Sequence, residues 1–383
     1  MKIGIMTCWQ PDDNYGTQIQ CFALQHYLRN LGHDAFLIQY LRENDVIKKI
    51  TLTKVLKAFS PFHIVRKLLT MRKLKKMQEE TFSHNRNAPE FRSKYLKTSK
   101  IYNNYEELVL NPPEADLYIV GSDQVWNNFP VQKGQFNSFF LNFGNEKIKR
   151  ISYAASFGFS SESIPKNYEI LAKPLLKKFD GISIREKSGL DILKQWGGRF
   201  ENSIRVSDPT LLLSADYYRK IYSENKINKP NKKYVLLYNL SSKSNIDCNK
   251  ILEWAKSKNL ELLYIAGHGQ LDNLKKCYAT IPEWLYLIDN AEYVFTNSFH
   301  GSIFSSIFHK KFVVFELLAL YGSTNSRLDI IKELVSQNRI VNSVNKAFEI
   351  IDNEIDWDLF EKNKDDLVKI GRDFLNQYIN KDL

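Results

Sequence analysis

Short apolar runs that break off into polar or glycine-containing residues, with helical patterns between them, occur in two series divided by one polar stretch. The first series opens with a buried strand, KIGIMTCW, then a loop, QPDDNYGT. A helix follows over QIQCFALQHYLRNLG, where Ile19, Phe22, Ala23 and Leu31 share a face and Gly32 ends the run. DAFLIQY returns as a strand, and DLYIVGSD, RISYAASFG and GISIREKSG repeat the strand-into-polar pattern before VSDPTLLL closes the series. Residues 223–233, SENKINKPNKK, hold Ile227 as their one apolar side chain, contain Pro230, and read as a linker. The second series has strands at YVLLYNL, LELLYIAGHG, AEYVFT and FVVFEL, a helix at NKILEWAKSKN, and a last amphipathic helix with Phe360, Leu367, Ile370, Phe374 and Tyr378 on one face. Strands alternating with helices predict an α/β fold with parallel sheets. The expectation is two Rossmann-like domains facing a cleft, 1–222 (with a basic helical insertion, 48–80) and 234–356, plus a helix over 357–383 that packs back on the first domain.

Charge singles out one segment. The formal net charge is +11, and residues 48–77 hold ten Lys/Arg and no acid, so the rest of the chain is nearly neutral. Around Ser60-Pro61 this segment has two helical patterns, one with Leu52, Val55, Leu56 and Phe59, the other with Ile64, Val65, Leu68 and Leu69. It reads either as a solvated helical hairpin or as a peripheral contact with anionic membrane. Nothing in the chain matches a nucleic-acid module, so nucleic acid is not an expected partner. Four cysteines without CxxC or zinc spacing suggest reduced thiols. MKIGIMTCW is too short for a signal sequence and no apolar run is long enough to span a membrane, which points to the cytoplasm, with 48–77 available to the inner membrane face. The seven histidines are scattered and HExxH, GxSxG and GxxxxGK[ST] are absent, so no metal is expected.

In open parallel sheets, ligands bind beyond the carboxyl ends of the strands. Five polar clusters occupy such positions. Asn14, Tyr15, Gly16 and Thr17 precede the first helix and serve either as an anion-holding turn or as a cap. Ser122, Asp123, Gln124 and Trp126 follow LYIV; the polar groups suit sugar hydroxyls and the indole a sugar face, or the tryptophan plugs the core. Arg185 ends a short strand and either grips a phosphate or carboxylate or pairs with Glu186 or another acid. His268 lies between two glycines, a loop residue or a ligand contact. In TNSFHGSIF, Ser298 and the amides around Gly301 and Ser302 can meet an anion at a helix start, while His300 is either a general acid–base or a satisfied capping histidine.

NYGTQIQCFAL, VGSDQVWN, SYAASFG, SIREKSG, VSDPTLLL, TNSFHGSIFSSIFHKKFV and NSRLDIIKELV, in that order from residue 14 to about 337, resemble the polysaccharide pyruvyl transferase family. The resemblance implies a GT-B-like fold with the active site in the cleft. It also implies transfer of pyruvate from phosphoenolpyruvate to two hydroxyls of a sugar, with a ketal and phosphate as products. Phosphoenolpyruvate is then a co-substrate, and no cofactor is expected. The family's arginine and histidine map onto Arg185 and His300, and a third contact onto Ser298; with Phe299, Gly301 and Ser302 these form the expected phosphoenolpyruvate site. His300 would protonate the methylene carbon or the departing phosphate, or deprotonate a hydroxyl. Asn14, Tyr15, Gly16, Ser122, Asp123, Gln124 and Trp126 form the expected acceptor side, for a galactoside of a surface polysaccharide or its lipid-linked precursor. Family members often have Asp where this chain has Asn297. The other readings are a nucleotide-sugar glycosyltransferase and a non-catalytic carbohydrate-binding member.

Overall fold

In the computed structural model, described residues are 1–10, 14–41, 86–127, 133–165, 167–240, 244–267, 270, 272–318, 325 and 327–379. The basic segment 48–77, the insertion 48–80 and His268 lie outside them.

Most strands come from the apolar runs and are buried on both faces, as parallel sheets require, whereas the edge strand Thr98–Tyr102 is largely exposed. In the first half these are β1 (Lys2–Met6), β2 (Asp34–Tyr40), β3 (Thr98–Tyr102), β4 (Leu117–Val120) and β5 (Lys149–Ser152), in the parallel order β3-β2-β1-β4-β5. Bridges Ile151–Gly181 and Ala155–Ile184 extend the sheet to β6 (Ser183–Ile184) and β7 (Ile204–Arg205). The second half has β8 (Tyr234–Asn239), β9 (Glu261–Ala266), β10 (Tyr293–Thr296), β11 (Lys311–Phe315) and β12 (Ile340–Val341), in the parallel order β12-β11-β10-β8-β9. The helices used below are α1 (Tyr15–Asn30), α2 (Lys187–Trp196), α3 (Ile281–Asp289), α4 (Phe299–Ile307), α5 (Asp329–Val335) and α6 (Trp357–Ile379). Among the described residues, no helix is long and apolar enough to cross a membrane.

Side chains alternate across each strand, so one face of each sheet shares a single apolar cluster with the other domain. Ile3 and Ile5 of β1 and Ala35 and Leu37 of β2 join Tyr234, Leu236 and Tyr238 of β8 in that cluster. Met6, Phe36 and Ile38 face a second core, and Val235 and Leu237 a third. Between the halves, Tyr15 stacks on Trp284 of α3 with ring centroids 5.2 Å apart, and its hydroxyl donates to Ala279 O at 2.7 Å. Helix α6 touches both halves: Asn363 Nδ2 donates to Glu333 O and Leu334 O, and Tyr378 Oη donates to Asp180 O at 3.2 Å.

Three local expectations are corrected. Helix α1 begins at Tyr15 rather than after Thr17, because Asn14 Oδ1 accepts the Thr17 amide and caps the helix. Leu31 follows the helix and is 45 % exposed, and Ile370 on α6 is also 45 % exposed, so neither belongs to a buried face.

Candidate active site

Strand order reverses between β1 and β4 in one sheet and between β8 and β10 in the other. The carboxyl ends flanking these switch points are where open parallel sheets place ligands. The loop after β4 and the start of α1 come from the first switch point, the start of α4 from the second, and all three meet.

Ser298 Oγ caps α4 by accepting the Gly301 amide at 3.2 Å, and Ser302 N donates to Ser298 O at 3.0 Å. The Gly301 and Ser302 amides are thus engaged by the cap rather than open to an anion, while the Ser298 hydroxyl accepts in the cap and keeps its own proton to donate. The Ser302 hydroxyl is also engaged, donating to Phe299 O at 2.7 Å. Asn297, at the carboxyl end of β10, donates from Nδ2 to Asn239 Oδ1 and Ser244 Oγ, both at 2.8 Å, and accepts the Leu240 amide at 2.7 Å. A carboxylate there would keep the accepted bond and lose both donations, so asparagine is the residue that ties β10 to β8.

His300 follows the cap and points toward the first domain. A Cβ built on Gly16 would lie 2.2 Å from its Nδ1 and 2.4 Å from its Cγ. Gly16 is thus the floor on which the imidazole rests. Gly16→Ala is expected to lower unfolding free energy by about 1–3 kcal/mol through overpacking. Denaturant titration checks this, and an unchanged or higher midpoint would refute the contact.

On its other side, His300 Nε2 lies 3.6 Å from Asp208 Oδ2. Asp208 caps the short turn Pro209–Leu212, with Oδ1 accepting from Thr210 N at 3.0 Å and Thr210 Oγ1 at 2.7 Å. Its Oδ2 accepts from Arg185 Nη1 at 2.9 Å and lies 3.2 Å from Ser122 Oγ. Burial works against this charge, yet His300 and Arg185 outweigh it and hold the carboxyl well below the usual carboxylate range. Asp208 was not among the expected site residues, although its SDPT stretch carries part of the family resemblance.

Arg185, at the end of β6 and ahead of α2, is enclosed by acids. Nε donates to Glu186 Oε1 at 2.7 Å, Nη1 to Asp208, and Nη2 lies 3.6 Å from Asp123 Oδ1. The guanidinium centre sits 4.5 Å from the centroid of Phe299. Burial opposes its charge, but Glu186, Asp208 and Asp123 override burial and keep it protonated. Of the two alternatives for Arg185, the structure has the pairing with acids: the side chain is an ion-pair hub, and its Nη2 makes no hydrogen bond. Arg327, just ahead of α5, lies where Arg185 repels its charge; burial and that repulsion lower its pKa, and its enclosed Nε has no hydrogen-bond partner. His300 Nε2 is likewise enclosed without a hydrogen bond. Sequence reasoning missed Arg327, whose only signal was the NSRLDIIKELV stretch.

The acceptor-side residues divide. Asp123, at φ +69° beyond β4, is 18 % exposed in its side chain, against 1–8 % for Arg185, Glu186, Asp208 and His300. Gln124 accepts from Asn127 Nδ2 at 3.1 Å and is partly open. Tyr15 and Trp126 are corrected: Tyr15 is locked between the domains, and Trp126 is fully buried, stacked on Phe140 at 5.3 Å with Nε1 donating to Phe139 O. Ser122 is also fully buried, its hydroxyl held between Ala154 O and Asp208, and Asn14 is the cap of α1. Among the described residues, no group of three or more His, Cys, Asp or Glu is arranged to hold a metal ion.

The chain is similar in fold to a UDP-GlcNAc 2-epimerase from Methanocaldococcus jannaschii, solved with UDP-GlcNAc and UDP. The TM-score is 0.50 at 15 % identity, covering 97 % of this chain and 99 % of that one. A second UDP-N-acetylglucosamine 2-epimerase gives a TM-score of 0.50 at 10 % identity, covering 100 % and 97 %. At such identities the likeness is one of fold, the GT-B arrangement of two facing Rossmann-like domains. No curated protein sequence gives a significant match. The model of the polysaccharide pyruvyl transferases matches residues 14–317, a span that includes Arg185, Asp208 and His300. The chain belongs to the polysaccharide pyruvyl transferase family.

Proposed function

We propose that this transferase moves pyruvate from phosphoenolpyruvate onto two hydroxyls of a sugar in a surface polysaccharide or its lipid-linked precursor, with a galactoside as the favoured acceptor. One observation carries the reading. Three enclosed nitrogens, Arg185 Nη2, Arg327 Nε and His300 Nε2, lack hydrogen-bond partners. Leaving such groups unsatisfied costs about 1–3 kcal/mol each, and more when charged, so nitrogens of two guanidinium groups and an imidazole in one region favour an acceptor-rich ligand. Phosphoenolpyruvate has a carboxylate and a phosphate on adjacent atoms, which suits two guanidinium groups and an imidazole. The acceptor approaches from the more open side, where Asp123 and Gln124 lie. His300 carries a proton between the reacting groups, with the ionised Asp208 beside it to balance the imidazolium. Peripheral contact of residues 48–77 with anionic membrane, at the cytoplasmic face, would bring the enzyme to a lipid-linked acceptor.

The test is to incubate the full chain with phosphoenolpyruvate and a galactoside, following phosphate and product mass. Phosphate release that requires the acceptor, with a ketal product, is the expected result. Nucleotide release from a UDP-sugar donor in its place would replace the reading with glycosyl transfer, and turnover of neither donor would leave a carbohydrate-binding protein.

A further inference from the structure

Ketal formation has a proton inventory that one imidazole does not complete. Two sugar hydroxyls each lose a proton, the methylene of phosphoenolpyruvate gains one to become methyl, and the leaving phosphate takes the other. If His300 is the acid for the methylene, a second group must take the proton of the attacking hydroxyl.

Three carboxylates surround Arg185, and their environments differ. Asp208 accepts bonds on both oxygens, from Thr210 and from Arg185, and its side chain is 1 % exposed. Glu186 accepts from Arg185 Nε at 2.7 Å and is 6 % exposed. Neither can reach an incoming sugar. The Asp123 carboxylate accepts no hydrogen bond among the described residues: Arg185 Nη2, 3.6 Å away, is an electrostatic neighbour only. It is the most exposed of the three and stands at the carboxyl end of β4, beside the strand-order reversal. Its backbone fixes it there, since Asp123 O accepts the amides of Val125 at 2.7 Å and Ser156 at 3.1 Å. Its φ of +69° is a conformation that Asp and Asn adopt far more readily than other side chains. A carboxylate with open oxygens, on a fixed backbone next to an anion site, has the geometry required of a general base.

We infer that Asp123 is the catalytic base that deprotonates the attacking sugar hydroxyl; the assignment rests on the pyruvyl-transfer reading above. The first hydroxyl gives its proton to Asp123 as its oxygen bonds C2 of phosphoenolpyruvate, while the C2–C3 π pair takes a proton from His300 at C3. The C2–O bond to phosphate then breaks, the electron pair leaving with phosphate, which carries off the proton held by Asp123. The second hydroxyl adds to the cationic C2 and returns its proton to His300. Both residues end in their starting states.

Asp123→Asn keeps the shape and suits the φ, and no hydrogen bond in the chain depends on the charge, so the fold should hold in thermal unfolding. In the full chain, kcat is expected to fall by about 10²–10⁴-fold. KM for phosphoenolpyruvate should stay level or drop, because one negative charge beside Arg185 is removed. Asp123→Ala should regain part of its turnover when formate supplies a carboxylate. Wild-type kcat in Asp123→Asn, or a loss confined to either KM, overturns the assignment while leaving pyruvyl transfer intact. Absence of acceptor-dependent phosphate release in the wild type overturns both.

Discussion

His300→Ala is expected to lower acceptor-dependent phosphate release by about 10²–10⁴-fold, the usual range for removing a general acid–base group, while the protein still folds, with an unfolding temperature lowered by the cavity left against Gly16. The two halves of this expectation have separate causes. The imidazole makes no hydrogen bond among the described residues, and its Nε2 stands enclosed and unsatisfied, so deletion breaks no bonded network. What it touches is the surface of Gly16 and, at 3.6 Å, the Asp208 carboxylate. That carboxylate loses the imidazole beside it but keeps its bonds from Arg185 and Thr210 in the variant, so the buried charge retains partners. Steady-state phosphate release and a melting curve on one preparation check both halves. Near-wild-type turnover would remove His300 from the chemistry.

Arg185→Met is expected to behave in the opposite manner, losing about 3–5 kcal/mol of stability along with activity, because it removes one partner of a buried ionic network. Asp208 and Glu186 each accept a short bond from this guanidinium, and Asp123 lies 3.6 Å from it. Without it, buried carboxylates face one another with only His300 and Arg327 nearby. Arg185→Lys should be intermediate, since an ammonium supplies charge but not the planar fork that reaches Glu186 through Nε and Asp208 through Nη1. Denaturant titration of the three proteins checks the order, and equal midpoints for wild type and Arg185→Met would contradict the hub. The pair of variants thus separates a residue that acts mainly on the reaction from one that also holds the site together.

The strands were legible because a strand buried on both faces is written as a continuous apolar run, and DAFLIQY, YVLLYNL and AEYVFT leave little else to fold into. Boundaries were harder where one side chain decides them. Asn14 reads equally as loop or cap, and only its bond to the Thr17 amide moves the start of α1 to Tyr15. Arg185 and His300 were found through their motifs, but their partners were not, since the ion-pair network is assembled by tertiary structure. Asp208 lies 23 residues beyond Arg185 in the chain, in the VSDPTLLL stretch that closes the first series. Trp126 failed for a different reason. An indole that stacks on sugar and one that fills a core share the same local sequence, and only the surrounding Phe140, Phe157 and Phe179 distinguish them. Gly16 was expected on the acceptor side, whereas the group resting on it, the His300 imidazole, belongs to a helix in the other half of the chain.

The apolar cluster shared by the two sheets has a mechanical consequence. Swinging the halves apart would break the Tyr15–Trp284 stack, the Arg205 Nη1 bond to Glu333 Oε1 (2.8 Å) and the Arg219 Nε bond to Asp289 Oδ2 (2.9 Å). It would also return apolar surface to water at about 25 cal/mol per Å². The two halves are therefore braced like a closed vice, and opening them has to break polar bonds and expose apolar surface at once.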